Sequence, residues 1–420
     1  MEVIRKIGGN AGAWAIVDGY SSGKHYAKLL NAQGIDVYHV QSMKEILEFD
    51  RKNFYAEDYK FNYVNYGDYD GLLSELKEVA NLSFVVPGCE TGVELADRLS
   101  EDLGLHSNGR CKSDARRDKF AMAKALEAAG LRHAKTFLVN EIVSLNERID
   151  ELGLPVVVKP CASAGSDDVY ICRDRESALD AFNKIHLKVN TLGVLNKSVL
   201  IQKLLRGRQY IVNTVSYRGH HYAVEVWEDN REDVGSAFIY NYEFLLLEYG
   251  ELEKCLIEYT CEVLTALGVN YGPSHVELMV DEGVPTLIEI GARPAGGIQQ
   301  QVMEDAQCYS HVSAVINCFL NDGLMIGYEN KMGCKHVVSA SLISRRSGFL
   351  KQVRCIERVE KLTSFQCLVG LPSLGSFVPV TRDLETSPGI LMLSHSSRRQ
   401  ILDDLEIFRA IERESLFDLE

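Results

Sequence analysis

The hydrophobic positions at the start of this 420-residue chain alternate between short apolar runs and helical spacing. Apolar runs at residues 13–17 and 35–40 flank a segment with helical periodicity at 24–33, and another run follows at 83–86. Strands that alternate with helices are typical of a parallel βαβ sheet. No G-x-G-x-x-G motif follows these runs, so the pattern gives little support for dinucleotide binding. We expect this first α/β domain to cover residues 1–112.

The pattern then changes twice along the chain. Residues 113–129 predict a helix that Ser113 or Asp114 would cap and that Gly130 would end. Apolar strands and a loop of small residues at 161–168 follow, which indicates a small α+β unit. Longer strands come next, and a charged helix at 398–414 closes a mixed tail. We therefore expect a central domain at 113–207 with a lid at 161–168, and a C-terminal antiparallel domain at 208–420 whose tail extension begins near 336.

Composition and charge narrow the function classes. Lys and Arg total 45 and Asp and Glu total 59, which gives a net charge of −14. This balance argues against nucleic acid as a partner, although a local pocket can still be positive. The 11 cysteines are scattered without a C-x-x-C pair, which is typical of a cytosolic protein with free thiols. No apolar run reaches the roughly 18 residues that a membrane helix needs, so we expect a cytoplasmic protein without membrane contact.

The segment at 274–300, SHVELMVDEGVPTLIEIGARPAGGIQQ, has the densest cluster of candidate chemistry. A turn joins two apolar strands that carry Glu277 and Glu289. Two acidic side chains on neighbouring strands can share magnesium, which prefers oxygen ligands and phosphates. Arg293 suits a carboxylate or phosphoryl group, and Gly296 and Gly297 leave backbone amides free to approach a ligand. The alternative is a plain hairpin with two outward-facing glutamates.

Two lysines add positive charge upstream of this cluster. Lys119 lies near the start of the 113–129 helix, and Lys159 ends the apolar strand VVVKP. A lysine at the end of a buried strand can extend harmlessly to solvent. It can also reach phosphates that the following small-residue loop covers with its amides.

In this order, the parts resemble the ATP-grasp superfamily over residues 113–300. The resemblance implies an α/β and α+β fold with an N-terminal parallel α/β lobe, a small mobile lid lobe and a larger C-terminal antiparallel lobe. It implies that Glu277 and Glu289 bind Mg²⁺, which Mn²⁺ can replace, and that Arg293 steadies an acyl phosphate. It also implies ATP contacts by Lys119, Lys159, Ser163, Ala164, Gly165, Ser166, Gln202, Lys203, Leu204, Leu205 and Gln209.

Three positions depart from the pattern of that superfamily. Its members often have Asn two residues after the second glutamate, in E-x-N-x-R, and this chain has Gly291 there. Gln202 stands where an acidic residue is common near the start of the hinge. Gln209 stands where the G-x-E glutamate is common, so the adenine and ribose contacts are less well marked than the phosphate and metal sites.

Several segments are similar to bacterial L-amino acid ligases, among them DGYSSGKHYA, SHVELMV, IEIGARPAGG and TRDLETSPGILML. The similarity implies an ATP-dependent enzyme of peptide-antibiotic biosynthesis that joins two L-amino acids through an aminoacyl phosphate, releases ADP and phosphate, and is compatible with a homodimer. Two alternatives stay open. One is another carboxylate–amine ligase or a biotin-carboxylase-like enzyme. The other is a non-catalytic ATP-binding module, because Gly291 stands where a metal or phosphate ligand is expected.

Further polar residues have two interpretations each. His275 could orient substrate or phosphate, or be a hydrogen-bonded core histidine. Glu225 could bind an amine substrate, or pair across strands. Glu90 and Glu94 could face the cleft, or favour a helix N-terminus. Ser21, Ser22 and Gly23 could bind an anion or cap a helix. No residue is identified as the general base for the attacking amine.

Overall fold

The first apolar runs form a four-stranded parallel sheet. The structure is a computed structural model that describes residues 12–52, 54–163, 165–235, 237–325 and 334–420. The elements are β1 (Ala13–Val17), α1 (Lys24–Asn31), β2 (Val37–Gln41), α2 (Glu48–Arg51), β3 (Asn62–Val64), α3 (Tyr69–Lys77), β4 (Leu82–Pro87) and α4 (Val93–Asp102). The strand order is β3-β2-β1-β4 and every pairing is parallel, which confirms the expected α/β lobe.

The chain order reverses between β1 and β4, and this places two loops side by side. Ligands of open parallel sheets bind beyond the carboxyl ends of the strands at such a point. The loop after β1 contains Ser21, and the loop after β4 contains Glu90. Both loops face the C-terminal part of the chain, since Ser21 Oγ lies 3.3 Å from where a Cβ on Gly296 would stand.

The helix predicted at 113–129 begins later than expected. A short 3₁₀ turn covers Asp114–Arg116, and α5 runs from Lys119 to Ala128. The cap is Asp118, whose carboxylate accepts hydrogen bonds from the amides of Phe120 and Ala121, so the prediction of Ser113 or Asp114 as cap was wrong. Met122 and Leu126 of α5 belong to the core of the large C-terminal sheet. The helix therefore packs on that sheet.

The middle of the chain forms a small antiparallel sheet with two helices. Its elements are β5 (Thr136–Val139), α6 (Ile142–Leu152), β6 (Val156–Pro160), β7 (Tyr170–Cys172), α7 (Arg175–Ile185) and β8 (Val199–Lys203). The order is β5-β8-β6-β7. Apolar side chains of both helices and of β6 and β8 form a separate core. The loop of small residues joins β6 to β7 and lies above the cleft.

Longer strands and three helices follow. They are β9 (Arg208–Tyr217), β10 (His220–Asp233), β11 (Phe238–Leu245), α8 (Glu251–Ala266), β12 (Gly272–Asp281), β13 (Val284–Gly291), α9 (Gln300–Gln307) and α10 (His311–Leu320). The hairpin β12–β13 occupies the edge of the large sheet and presents the acidic cluster there. Helix α10 packs against the N-terminal lobe, because Phe319 shares a core with Trp14.

The tail extends the large sheet. It contains β14 (His336–Ser341), β15 (Gly348–Val353), α11 (Ile356–Val359), β16 (Phe365–Val369), β17 (Phe377–Val378), β18 (Ile390–His395), α12 (Arg398–Ser415) and β19 (Phe417–Leu419). The eight-stranded antiparallel sheet has the order β13-β12-β9-β10-β11-β14-β18-β16, and β17-β15-β19 form a small separate sheet. Within the described ranges, no helix combines the length and apolar character needed to span a bilayer.

Candidate functional site

A cleft of about 680 Å³ lies between the small sheet and the large sheet. It brings together six residues that the sequence pattern assigned to ATP, which are Lys159, Ser166, Gln202, Leu204, Leu205 and Gln209. Apolar side chains such as Val157, Ile171 and Met279 line the rest of its wall. The cleft therefore combines an apolar surface for a flat ring with polar groups at one end, as nucleotide sites do.

Lys159 supplies a buried positive charge to this cleft. It lies at the end of β6 and is only 4% exposed. No carboxylate of the described residues forms an ion pair with its ammonium. Burial lowers the pKa of Lys159 to about 8, and the charge of Lys119 acts in the same direction. The carboxylates of Glu289 and Glu277 act on this ammonium from beyond ion-pair distance and favour its charged form, so it suits an anionic group such as a phosphate.

Lys119 connects the lid loop to the acidic cluster. Its Nζ lies 2.9 Å from Glu289 Oε2 and donates a hydrogen bond of 2.9 Å to the carbonyl of Ser163. Its backbone amide donates to the carbonyl of Cys161 at 2.9 Å. The first residue of α5 thus holds the start of the loop from both its side chain and its backbone.

The lid loop also contacts the large sheet. Ser166 Oγ accepts a hydrogen bond from Arg231 at 3.2 Å and donates to the hydroxyl of Tyr240 at 3.3 Å. Gly165 has φ +65°, which favours glycine. Ala164, which the sequence pattern also assigned to ATP, lies outside the described residues.

The predicted hinge residues differ in where their side chains lie. Gln202 is buried in the cleft wall and donates to Thr136 Oγ1 at 3.0 Å. Lys203 faces the opposite side of β8, where its ammonium donates to the carbonyls of Leu152 and Gly153. The side chain of Lys203 therefore does not line the cleft, because successive strand residues point to opposite faces, and only its backbone could make the predicted ATP contact.

Glu277 and Glu289 stand directly opposite each other on β12 and β13. Burial would raise the pKa of Glu277, but Arg231 and His275 lower it to about 2. Gln209 also donates to Glu277 Oε2, at 2.8 Å. The described residues contain no cluster of three or more metal-binding side chains. A pair of carboxylates fits Mg²⁺, which commonly takes one or two carboxylates and completes its shell with water and phosphate oxygens.

Arg231 is a site residue that the sequence pattern did not identify. Its guanidinium donates to Asp229 at 2.9 Å and to Glu277 at 3.2 Å, and it stacks 4.0 Å from the ring centroid of Tyr240. The polar run EDNRED resembles a solvent-exposed turn in sequence. The available signal was the i, i+2 spacing of Asp229 and Arg231, which places both on one face of a strand.

A second cavity of about 720 Å³ is lined by Glu277, whose carboxylate accepts hydrogen bonds from Gln209 and Arg231 of the cleft wall. Its walls include the predicted residues Glu277, Glu289, His275, Arg293, Gly296 and Gly297, together with Gly165, Asn213, Trp227, Glu243, Leu384 and Ile390. We call this cavity the substrate chamber. It places Arg293 and the two glycines beside the carboxylate pair, as the sequence pattern predicted.

Glu90 of the N-terminal lobe holds Arg293 in place. Its carboxylate accepts from Arg293 Nε at 2.9 Å and from Arg117 at 2.6 Å. Burial would raise the pKa of Glu90, but the two arginines hold it below the usual value of 4.5. Of the two glutamates proposed for the cleft, Glu90 therefore contacts a residue of the chamber wall, whereas the side chain of Glu94 is 62% exposed.

The same contacts explain Gly291. A Cβ on this residue would lie 2.8 Å from Glu90 Oε2 and 3.0 Å from the guanidinium carbon of Arg293. The first distance is shorter than real Cβ contacts and the second is tighter than most of them, so a side chain here would require the ion pair to shift. The side chains of Glu90 and Arg293 therefore occupy the volume that the asparagine of the E-x-N-x-R pattern would need.

The remaining candidates have mainly structural partners. His275 Nδ1 lies 2.9 Å from Asn213 Oδ1, and its Nε2 lies 3.5 Å from Glu277, so it faces the chamber while orienting a carboxylate. Glu225 accepts from Asn213 and from Trp227 Nε1 and lines a smaller cavity of about 260 Å³ behind the glycines. Ser21–Gly23 form a 3₁₀ turn, and no side chain caps α1.

Glu243 is a second residue that the sequence pattern did not identify. It lines the chamber from β11, opposite Asp229 on β10 and Ser339 on β14. Burial raises its pKa to about 8, and the neighbouring charge of Asp229 acts in the same direction. A carboxyl group whose pKa is raised by burial holds its proton more readily than a free one, and Arg231 opposes this effect.

Comparisons with known proteins identify the fold and similar enzymes. Residues 152–302 match the ATP-grasp domain. The chain is 29% identical over 405 residues to dapdiamide A synthase of Enterobacter agglomerans, covering 94% of this chain and 95% of that protein. It is 24% identical over 217 residues to alanine–anticapsin ligase of Bacillus subtilis strain 168, covering 47% and 46% of the two chains. The crystal structure of L-amino acid ligase from Bacillus licheniformis superposes with a TM-score of 0.75 at 16% identity, over 97% of this chain and 99% of that chain. The fold is thus the ATP-grasp fold, and the resemblance to L-amino acid ligases is confirmed.

Proposed function

We propose that this ATP-grasp protein, a relative of amino-acid ligases, joins two L-amino acids into a dipeptide with the conversion of ATP to ADP and phosphate. The observation that carries the proposal is the shared wall of the two cavities. Glu277 borders the substrate chamber, while its partners Gln209 and Arg231 line the nucleotide cleft. A phosphoryl group that leaves the cleft would therefore meet a substrate carboxylate beside Arg293.

The first step is phosphoryl transfer. A carboxylate oxygen of one amino acid attacks the γ-phosphorus of ATP, the bond to the β,γ-bridging oxygen breaks, and an acyl phosphate and ADP result. Lys119 and Lys159 bind the phosphates, and Arg293 binds the oxygens on which charge develops. Glu277 and Glu289 would hold Mg²⁺, which would supply further charge neutralisation there.

The second step forms the peptide bond. The amine of the other amino acid attacks the acyl carbon, the bond to phosphate breaks, and the nitrogen loses a proton, which the leaving phosphate can accept. Glu90 keeps Arg293 aimed at the leaving phosphate, because it anchors the guanidinium from the far side. The lid loop, held by Lys119 and Arg231, would exclude water and so protect the acyl phosphate from hydrolysis.

A phosphate-release screen with all amino acids, singly and in pairs, tests this function when mass measurement identifies the products. We expect release that requires two amino acids, together with a product of dipeptide mass. Release that depends on bicarbonate would favour a carboxylase, and ATP binding without any release would favour a non-catalytic module. Either result would overturn the proposal.

Two variants make the screen specific to the site. Glu289→Gln removes one carboxylate from the pair and should lower phosphate release by roughly 100-fold, as the loss of one stabilising group in a transition state typically does. Glu258→Gln changes an exposed glutamate on α8 and should leave phosphate release unchanged. Near-normal release by Glu289→Gln would contradict the assignment of the carboxylate pair.

A further inference from the structure

The tail contains a rigid turn at residues 381–387, which we call the tail turn. Thr386 Oγ1 accepts hydrogen bonds from the amides of Arg382 and Asp383 at 2.8 and 3.0 Å, and the amide of Thr386 donates to Asp383 Oδ1 at 2.8 Å. Thr381 is joined to Ser344 by two bonds of 2.9 Å. The turn is therefore fixed internally and anchored to the segment that follows β14.

The tail turn contacts the lid loop directly. The amide of Leu384 donates a hydrogen bond of 3.2 Å to the carbonyl of Gly165. A Cβ on Gly165 would lie 3.5 Å from Leu384 Cβ, so the two backbones meet at van der Waals distance. The lid loop thus rests on the C-terminal extension as well as on Lys119 and Arg231.

Arg382 lines the nucleotide cleft from this turn, together with Lys159, Ser166 and Arg231. Arg231 is already paired with Asp229 and Glu277. No carboxylate of the described residues pairs with the Arg382 guanidinium, which leaves its donors available to an anion. Guanidinium groups bind phosphate oxygens in a bidentate manner.

Leu384 lines the substrate chamber from the same turn, and Ile390 follows it on β18. Ile390 Cδ1 would lie 3.6 Å from a Cβ on Gly297, so the tail forms the wall that faces the substrate glycines. The side chain of Leu384 is 38% exposed, which indicates that it borders open space rather than the packed core.

We propose that the tail turn completes both cavities, with Arg382 binding the phosphates of the nucleotide and Leu384 restricting the side chain of a substrate amino acid. The proposal rests on the proposed function and extends it to a segment outside the matched ATP-grasp domain, residues 152–302. It explains why the tail strands continue the large sheet, since this continuity fixes the turn against the lid.

Calorimetric titration of Arg382→Gln with ATP, ADP and adenosine tests the first part. We expect ATP and ADP to bind roughly tenfold or more weakly, as expected when a charge-assisted hydrogen bond is lost, and adenosine to bind as in the wild type. Arg346→Gln, at an exposed arginine of the same extension, is the matched control. Equal binding of ATP to wild type and Arg382→Gln would overturn this part. A loss of adenosine affinity as large as the loss of ATP affinity would overturn it as well. A wild type that does not bind ATP would instead refute the proposed function.

Relative kcat/KM values across a panel of amino acids test the second part. Leu384→Ala should raise the values for large side chains relative to small ones, and Leu384→Phe should do the reverse, with ATP affinity unchanged. Leu374→Ala, at a leucine that is 71% exposed elsewhere in the tail, is the control. An unchanged preference order in both Leu384 variants would overturn the assignment, and circular dichroism would confirm that the variants fold.

Discussion

Lys159 combines burial and charge in one side chain, and this makes ATP affinity depend on pH. The free protein carries a charged Lys159 below its pKa of about 8. Bound phosphates favour the protonated form, so binding above that pH must take up a proton and becomes weaker as pH rises. We expect the Kd for ATP to rise through pH 8–9 in the wild type.

Lys159→Met should weaken ATP binding at pH 7 by roughly 10–100-fold, the range for a charge-assisted hydrogen bond, and remove most of this pH dependence. Calorimetry across pH 6.5–9.5 measures both effects. Lys203→Met is the matched control, because its side chain lies on the neighbouring strand and points away from the cleft. The same pH dependence in Lys159→Met and wild type would show that another group is responsible.

Single residues were predictable where their sequence context was unusual. Lys159, Glu277 and Glu289 each interrupt an apolar strand, and a charge in such a strand indicates a function or a partner. Arg231 lies in a strand with several other charges, where one more charge carries little information. Glu243 is the only charged residue of the largely apolar β11, so its sequence context did contain a signal. Their position at the site depends on the pairing of β10 with β11, which local patterns do not specify.

The hairpin β12–β13 is the element that determines how much room the ion pair of Glu90 and Arg293 has. We expect Gly291→Asn to destabilise the protein by about 1–3 kcal/mol, as overpacking typically does, and to lower phosphate release. Denaturant unfolding and the release assay measure the two effects. Gly283→Asn, in the open turn of the same hairpin at φ +80°, should leave phosphate release unchanged, and its effect on stability should be limited to backbone strain, which asparagine tolerates better than most residues.

A double variant distinguishes crowding from loss of the glycine itself. Glu90→Ala removes the carboxylate that a side chain at position 291 would meet, so Gly291→Asn combined with Glu90→Ala should be less destabilised than the sum of the two single changes. Simple additivity would show that Glu90 is not what excludes a side chain at this position.

Elements were well predicted in type and less well in their ends. The segment around α5 has several capping residues, and Asp118 is the one that caps the helix. Arg116 forms a buried ion pair with Asp97, and the backbone amide of Lys119 donates a hydrogen bond to the carbonyl of Cys161. These contacts come from distant parts of the chain, so local propensity could not choose among the caps.

At the scale of the whole molecule, Glu90 connects the N-terminal lobe to the large sheet. Its folded pKa is below 4.5, so its charge stabilises the protein above that pH and this stabilisation is lost as pH falls. Glu90→Gln should lower the free energy of unfolding at pH 7 by about 3 kcal/mol, the usual order for breaking a buried ion pair.

Urea unfolding at pH 7 and at successively lower pH checks this prediction. The difference between wild type and Glu90→Gln should narrow as pH falls below 4.5. Glu94→Gln, at an exposed residue one turn further along, is the control and should cost little at any pH. A difference that is the same at every pH would show that the carboxylate charge is not what stabilises the contact.

The sequence by itself determined the classes of element, the order of the strands and helices, the acidic hairpin and the charged residues that interrupt apolar strands. These features follow from periodicity and from the cost of burying charge, which act locally. Only the tertiary structure decided which distant residues complete the site. Glu90 reaches Arg293, Arg231 reaches Glu277, and Leu384 reaches Gly165. Such contacts depend on how sheets pair and lobes pack, because these arrangements set distances between residues that no local pattern relates.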